Sequence, residues 1–381
     1  MDSHLAKEVE IYRSLALPLR AAQYETAGPQ PTTKDGGTPM LLPTSKIFKS
    51  TDFALKSGPV LEQLEVAYET WGQLAPDGRN AILLCHGFTS SPHAAGDDSG
   101  WWSGLIGPGK AIDTDRFFVV CSNMLGSAYG STGPASTDPR TGRPYGPDFP
   151  EIATKDIIGA QALLLDHLKI GTLAAVVGFS YGGYLTFEWG VTYPERMRAL
   201  VPVATAIKGR GTTESIQAFR DQFGQCPGWN GGHYYGRKKE SGVFDALLQQ
   251  RIETLTNYGV VQQLEATVPD PAERVRRMHA MAAQWAEEFD AHSLIVLRRA
   301  AVSFDARPGV ANIKAPLLYA LSRSDALFPP AIAPDTIALL KKAGVDARYV
   351  EIDSDYGHRG PGVDWQKWAP ELKAFLGEYC R

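Results

Sequence analysis

The pattern of apolar and polar positions changes along the chain. Between residues 46 and 70 the two kinds alternate on both sides of Ser57-Gly58-Pro59, which predicts an antiparallel hairpin at a sheet edge. Further on, the apolar runs are continuous, as expected for strands buried on both faces. These runs cover residues 81–85, 117–121, 174–177, 200–204, 316–321 and 348–352. Because segments with helical spacing, such as residues 157–168, lie between them, we predict an α/β fold with a mostly parallel central sheet and helices on both faces.

One long segment departs from this alternation. From residue 208 to about residue 302, helical stretches such as 243–255 and 272–288 follow each other with no strand-like run between them. We interpret residues 208–302 as a helical lid inserted into an α/β core of residues 46–207 and 303–381, which a helix at 365–379 completes. Residues 1–45 are polar and rich in Pro, Gly and Thr, which predicts an N-terminal arm.

Composition excludes several classes of protein. A net charge of -4 without a long basic run gives nucleic acid no binding surface, and no segment approaches the ~20 apolar residues of a membrane span. The first ten residues mix charges where a signal peptide needs an apolar core, so we expect a cytoplasmic protein. Cys85, Cys121, Cys226 and Cys380 have no C-x-x-C spacing, and the eight histidines are scattered. We therefore expect reduced, structural cysteines, no metal site and no bound cofactor.

The strongest chemical signal lies where an apolar run breaks into glycines around one serine. Residues 174–177 are followed by Gly178-Phe179-Ser180-Tyr181-Gly182, and helical spacing then resumes. This pattern predicts a strand, a sharp turn with Ser180 in strained geometry, and a helix. Gly178 and Gly182 are required because a Cβ there would collide with the neighbouring strand or helix. Such a nucleophile elbow is typical of α/β hydrolases. A chance match in a glycine-rich loop is the alternative, and the strand and helix context disfavours it.

Partners for this serine follow in the order expected for this fold. A serine hydroxyl needs a histidine to take its proton, and the histidine needs an acid to orient it. Asp325 and His358 each come directly after a predicted strand, at the sheet edge where open α/β folds place their sites. Asp325 could instead cap a helix, and His358 could be a surface loop residue. Asp353 and Asp355 are rival acids, but they lie too close to His358 along the chain.

The oxyanion formed during acyl transfer needs at least two fixed donors. One is expected to be the N–H of Tyr181, the residue after the nucleophile. The second is expected from the loop after an earlier strand, where the N–H of Phe88 fits. We expect His86 and His93 to order this loop rather than to react.

From about residue 46 to the C-terminus, several stretches in one order resemble the homoserine O-acetyltransferase family of α/β hydrolases. These stretches are residues 101–110, 121–123, 129–134, 188–189, 193–196, 229–232, 325–330 and 356–358. The resemblance implies an α/β-hydrolase fold with a helical lid, which often builds a homodimer. It also implies the catalytic triad Ser180, Asp325 and His358.

Three departures from the family concern the substrate. The resemblance implies an arginine in the first long lid helix that binds the amino acid's carboxylate, and counting from Gly242 places Leu247 there. A slip of one helical turn would bring Arg251 to that position instead. The family's aspartate after the catalytic histidine, thought to meet the substrate amine, is Arg359. The loop at residues 86–90 is also closer to that of ordinary esterases. Together these departures argue against homoserine as substrate.

We therefore predict a serine carboxylic-ester hydrolase that acts on acetate and other short-chain esters of uncharged alcohols through an acyl-enzyme on Ser180. The alternative is an acetyl-CoA-dependent O-acyltransferase with homoserine or a neutral alcohol as acceptor, since both reactions use the same residues. A catalytically inactive scaffold is a third hypothesis, which the complete Ser180, Asp325 and His358 set disfavours. The expected partners are a small-molecule ester and a second copy of the chain, bound through the lid.

Overall fold

The computed structural model describes residues 45–380, so that the arm predicted at residues 1–45 lies outside it apart from Ser45. Eight strands form the central sheet in the order β1-β2-β4-β3-β5-β6-β7-β8. They are β1 (Lys46–Ala54), β2 (Val60–Trp71), β3 (Ala81–Cys85), β4 (Phe118–Ser122), β5 (Ala175–Phe179), β6 (Leu200–Val203), β7 (Leu317–Ser322) and β8 (Ala347–Ile352). Strands β3 to β8 are parallel to one another, and β2 runs antiparallel to both β1 and β4. The predicted mostly parallel sheet and its edge hairpin are confirmed.

Strand β3 shows why the central runs are apolar without interruption. Successive side chains of a strand point to opposite faces of the sheet. Leu83 and Cys85 belong to the apolar cluster on one face, and Ile82 and Leu84 belong to the cluster on the other face. All four are fully buried. Helices therefore cover both faces of the sheet.

Ten helices accompany the strands in the described part of the chain. They are α1 (Thr154–His167), α2 (Tyr181–Thr192), α3 (Thr213–Gly224), α4 (Val243–Asn257), α5 (Val260–Thr267), α6 (Pro271–Glu288), α7 (Ala291–Ser303), α8 (Ala333–Lys342), α9 (Gly360–Val363) and α10 (Ala369–Tyr379). Among residues 45–380, no helix is both long and apolar enough to cross a membrane.

The starts of two helices differ most from those predicted. Helix α1 begins three residues early because the Asp156 carboxylate accepts the Ala153 N–H at 2.7 Å and so caps the first turn. The predicted helix at 365–379 is interrupted, since a single turn at Trp365–Lys367 precedes α10. Pro370 lies in the first turn of α10, where its missing N–H is tolerated, whereas inside a longer helix its ring would clash with the preceding turn.

Helices α3 to α7 occupy the segment interpreted as a lid. The chain enters and leaves this segment side by side, because Lys208 and Asp305 form an antiparallel bridge and the Gly209 N–H donates to the Phe304 carbonyl at 2.8 Å. Many apolar side chains of these helices form a third cluster, separate from the two that flank the sheet. Leu297 of α7 nevertheless packs into a sheet cluster, so α7 joins the two parts. The domain boundaries at 208 and 302 stay a prediction.

Candidate active site

The turn between β5 and α2 has the strained geometry that the glycine pattern predicts. Ser180 connects the two elements with φ 58° and ψ -115°, a conformation that non-glycine residues rarely adopt. A Cβ on Gly178 would strike the Gly182 carbonyl, and a Cβ on Gly182 would strike the Cys85 carbonyl of β3. Both neighbours are backbone atoms, which cannot move aside. Close packing of α2 on the sheet therefore depends on these two glycines.

Ser180, Asp325 and His358 form one chain of hydrogen bonds. The Ser180 Oγ lies 2.8 Å from His358 Nε2, and His358 Nδ1 lies 2.7 Å from Asp325 Oδ2. Since a carboxylate can only accept, Nδ1 carries the proton, which leaves Nε2 free to accept from the serine hydroxyl. All three side chains are buried. The arrangement can activate the serine as a nucleophile, as the order of these residues along the chain predicts.

Neighbouring groups hold the Asp325 carboxylate and the His358 imidazole in place. Asp325 Oδ1 accepts the N–H groups of Leu327 and Phe328 at 2.8 and 3.2 Å, which leaves Oδ2 for the histidine. The imidazole of His358 packs against the rings of Phe179 and Tyr258, with centroids 4.9 and 4.8 Å away.

The two rival acids lie elsewhere. Asp353 and Asp355 are exposed and pair with the guanidinium of Arg323 at 2.8 and 2.6 Å. The His358 imidazole bonds to Asp325 instead. The structure therefore favours Asp325 as the acid that orients the histidine.

The proposed oxyanion donors are the N–H of Tyr181, which directly follows Ser180, and the N–H of Phe88 in the loop after β3. Tyr181 is the first residue of α2, so its N–H has no partner within the helix. Within residues 45–380, neither this N–H nor that of Phe88 donates to a protein acceptor. The rings of Phe88 and Tyr181 stack with centroids 5.9 Å apart, which holds the two backbone segments together. Both N–H groups are available to an oxyanion, and their role stays a proposal.

His86 orders the loop that carries Phe88. Its Nδ1 bonds to the Gly87 carbonyl at 2.8 Å, and its Nε2 accepts the Met124 N–H at 3.2 Å. Complete burial lowers the pKa of His86 to about 4, so the ring stays neutral. His93 lies further along and bonds to the carboxylates of Glu69 and Asp97. These contacts agree with the structural role expected for both histidines.

The helix α4 presents Arg251, rather than Leu247, to the candidate site. Leu247 is fully buried in the apolar cluster of the lid. One turn further, Arg251 Nη1 donates to Thr89 Oγ1 at 2.7 Å, and its guanidinium lies 5.0 Å from the centre of the Trp285 ring. Thr89 directly follows Phe88, so Arg251 reaches the loop of the proposed oxyanion donors. The contact with this loop is therefore made by Arg251 and not by Leu247, one turn earlier in α4, and the assignment of either residue to the substrate pocket stays a prediction.

Arg359, the other residue assigned to the substrate pocket, directly follows His358. Its N–H donates to the Tyr258 carbonyl at 3.2 Å, which joins the histidine loop to the end of α4. Burial lowers the pKa of its guanidinium, and the positive charge of Arg251 lowers it further. Arg359 and Arg251 therefore lie within electrostatic reach of each other.

Sequence reasoning missed two contacts of the lid with the site. Tyr258 packs on the histidine, and Trp285 Nε1 donates to the Thr89 carbonyl at 3.2 Å. One signal could have indicated Tyr258: Gly259 has φ 90° and its Cβ would strike the Tyr356 carbonyl, so a glycine is required where the lid meets the histidine loop.

Comparison with known proteins agrees with this geometry. The sheet order and the strained turn at Ser180 define a protein of the α/β-hydrolase class, and the model of the alpha/beta hydrolase fold matches residues 80–360. The chain is 36% identical to the homoserine O-acetyltransferase of Deferribacter desulfuricans over 367 residues, covering 89% of this chain and 96% of that protein. The protein belongs to the homoserine O-acetyltransferase family of α/β-hydrolase enzymes, as the sequence resemblance indicates.

Solved structures of two kinds of enzyme resemble the chain equally well. The homoserine O-acetyltransferase from Bacillus anthracis is 27% identical with a TM-score of 0.78, covering 88% of this chain and 98% of that one. Esterase E22 is 28% identical with the same TM-score of 0.78, covering 87% and 99%. The same fold therefore occurs both in an enzyme named as an acetyltransferase and in one named as an esterase.

Proposed function

We propose that the protein is an O-acyltransferase that moves an acetyl group from acetyl-CoA, through Ser180, to the hydroxyl of an acceptor that carries a carboxylate. The contact of Arg251 with Thr89 carries this proposal, since it holds a cation beside the loop of the proposed oxyanion donors. A leucine at this position would have argued for uncharged alcohols. The names of the curated relatives, which are homoserine O-acetyltransferases at 34–38% identity, support transfer over the hydrolysis predicted first.

In the first half-reaction, His358 Nε2 takes the proton from Ser180 as the oxygen attacks the thioester carbonyl. The N–H groups of Phe88 and Tyr181 bind the oxyanion of the tetrahedral intermediate. The intermediate then breaks its carbon–sulfur bond, and the thiolate of CoA takes the proton from His358. Ser180 is left as an acetyl ester.

In the second half-reaction, the acceptor hydroxyl gives its proton to His358 Nε2 and attacks the acetyl carbonyl. The same N–H groups bind the second oxyanion. When the carbon–oxygen bond to Ser180 breaks, His358 returns the proton to the serine. The products are the acetylated acceptor and the free enzyme.

Hydrolysis is the second candidate, and the similarity to esterase E22 favours it. Water would take the place of the acceptor in the second half-reaction, with no other change in the residues used. The test is CoA release from acetyl-CoA, with and without hydroxy acids such as homoserine, beside acetate release from phenyl acetate. Acceptor-dependent CoA release supports transfer. Ester hydrolysis that is indifferent to acetyl-CoA and to every acceptor would instead establish the hydrolase.

The homodimer built through the lid is a further part of the proposal. Light scattering or sedimentation of the purified protein tests it directly.

A further inference from the structure

Two arginines lie at the junction of the lid and the histidine loop. Arg251 comes from α4 and bonds to Thr89, whereas Arg359 directly follows His358. The end of α4 links them, because Tyr258 packs on His358 and its carbonyl accepts the Arg359 N–H. Both arginine side chains are partly buried. The two positive charges therefore lie at the same junction, within electrostatic reach of each other.

Neither guanidinium has its hydrogen-bonding capacity filled by residues 45–380. Arg251 Nε is buried and lacks an acceptor, although its Nη1 bonds to Thr89. The Arg359 guanidinium has no hydrogen bond or ion pair with any residue in this range. Burial lowers the pKa of both groups, as expected for cations that have lost water without gaining a full set of partners.

The nearby carboxylates do not neutralise this pair. Asp325 is engaged by His358 and by two backbone N–H groups. Glu288 lies within electrostatic reach of Arg251, but it also interacts with Tyr129 and Lys238, and burial raises its pKa. The junction therefore has more buried positive charge than negative charge.

We propose that Arg251 and Arg359 together bind the acceptor's carboxylate and disfavour an ammonium group beside it, so that the preferred acceptor is a hydroxy acid without an amino group. This inference rests on the proposed acyl transfer. Two guanidinium groups offer donors for both oxygens of one carboxylate, and this pairing satisfies the arginines as well as the substrate. An ammonium group beside that carboxylate would meet the charge of Arg359.

The test compares two acceptors that differ only in the amino group. L-homoserine and 4-hydroxybutyrate share the hydroxyl, the chain length and the carboxylate. We expect kcat/KM for CoA release to be about tenfold or more higher with 4-hydroxybutyrate, since placing like charges together is strongly unfavourable. Equal or better use of homoserine would overturn the inference.

Variants of Arg359 test whether its charge causes the preference between the two acceptors. Arg359→Asp should reverse the preference towards homoserine, and Arg359→Lys should keep the preference of the wild type. Arg220→Gln removes an exposed arginine of α3 and serves as the matched control, with no change in preference expected. Urea unfolding verifies that each variant is folded. If Arg359→Asp leaves the ratio of the two acceptors unchanged while Glu288→Gln alters it, Glu288 sets the specificity and the inference is wrong.

A separate measurement keeps this test distinct from that of acyl transfer. Mass spectrometry of the protein mixed with acetyl-CoA alone detects acetylation of Ser180. If no acetyl-enzyme forms, the transferase proposal fails. Binding of the two acceptors is then measured by how well each protects Ser180 against labelling by a fluorophosphonate. Stronger protection by 4-hydroxybutyrate than by homoserine, lost in Arg359→Asp, supports the charge selection. Protection by neither compound overturns it.

Discussion

The sheet side and the lid side of the candidate site are built in different ways. On the sheet side, backbone geometry fixes the chemistry: Ser180 is held in a strained turn, and Asp325 and His358 follow neighbouring parallel strands. On the lid side, long side chains such as that of Arg251 reach across to the sheet. The difference indicates that the catalytic triad and the contact of the lid with the site depend on separate parts of the chain, which meet at the histidine loop that carries Arg359. Variants on the two sides should therefore have separable effects.

The largest effect is expected on the sheet side, from Ser180→Ala. Both acyl transfer and ester hydrolysis should fall by about 10⁴- to 10⁶-fold, because both need the same nucleophile. Steady-state release of CoA and of acetate measures the two reactions, with Ser99→Ala in an exposed loop as the control. A loss confined to one reaction would show that the two do not share an acyl-enzyme.

Adding a side chain at Gly182 of the nucleophile elbow should destabilise the fold as well as the site. In Gly182→Ala the new Cβ meets the Cys85 carbonyl, which is backbone of a central strand and cannot move aside. We expect a loss of about 1–3 kcal/mol or more in the free energy of unfolding, as for other overpacked sites, together with reduced activity. Gly224→Ala is the matched control, because its Cβ has no neighbour within 4 Å. Urea unfolding compares the two, and equal stabilities would contradict the steric explanation.

A pair of variants in α4 tests whether different residues pack the lid and recognise the acceptor. Leu247→Ala leaves a cavity in the lid cluster and should lower the free energy of unfolding by about 2–5 kcal/mol. Arg251→Gln should instead lower kcat/KM for carboxylate-bearing acceptors, by the about 1.5–3 kcal/mol that hydrogen bonds to charged groups contribute. Hydrolysis of phenyl acetate, which has no carboxylate, should fall less.

The preference for acceptors with or without a carboxylate distinguishes the expected effects of the two α4 variants. Urea unfolding and the ratio of kcat/KM for acceptors with and without a carboxylate are measured for both. If Leu247→Ala changes this ratio and Arg251→Gln does not, Leu247 is the recognition residue after all.

The sheet side was predictable because its signals are local. The glycines around Ser180 encode the turn, and strand order places Asp325 and His358 at one edge of the sheet. Each of these assignments tolerates an error of one or two residues in a strand boundary. The fold followed from the same continuous apolar runs.

The lid side was less predictable because residues one helical turn apart lie on the same face of a helix. The sequence pattern therefore does not distinguish Leu247 from Arg251 as the residue of α4 that reaches the site. Contacts between distant segments, such as that of Tyr258 with the His358 ring, leave no periodic signal at all. The local signal there is Gly259, whose positive φ and close approach to the Tyr356 carbonyl both exclude a Cβ.

The last expected effect again lies on the sheet side, in the pH dependence that His86 gives to stability. Its pKa of about 4 in the folded protein lies below the about 6.5 of an exposed histidine. Below pH 6.5 the unfolded chain therefore binds a proton that the folded chain refuses, and stability falls as the pH drops towards 4. Between pH 7.5 and 5 this single group accounts for about 2 kcal/mol. Urea unfolding of the wild type and His86→Gln at both pH values isolates the contribution, since the carboxylates are common to both proteins. If the stability of both proteins depended on pH in the same way, the loop that carries Phe88 would have to accommodate a protonated His86. That loop, and the oxyanion donor in it, would then be held less rigidly than the adjoining sheet.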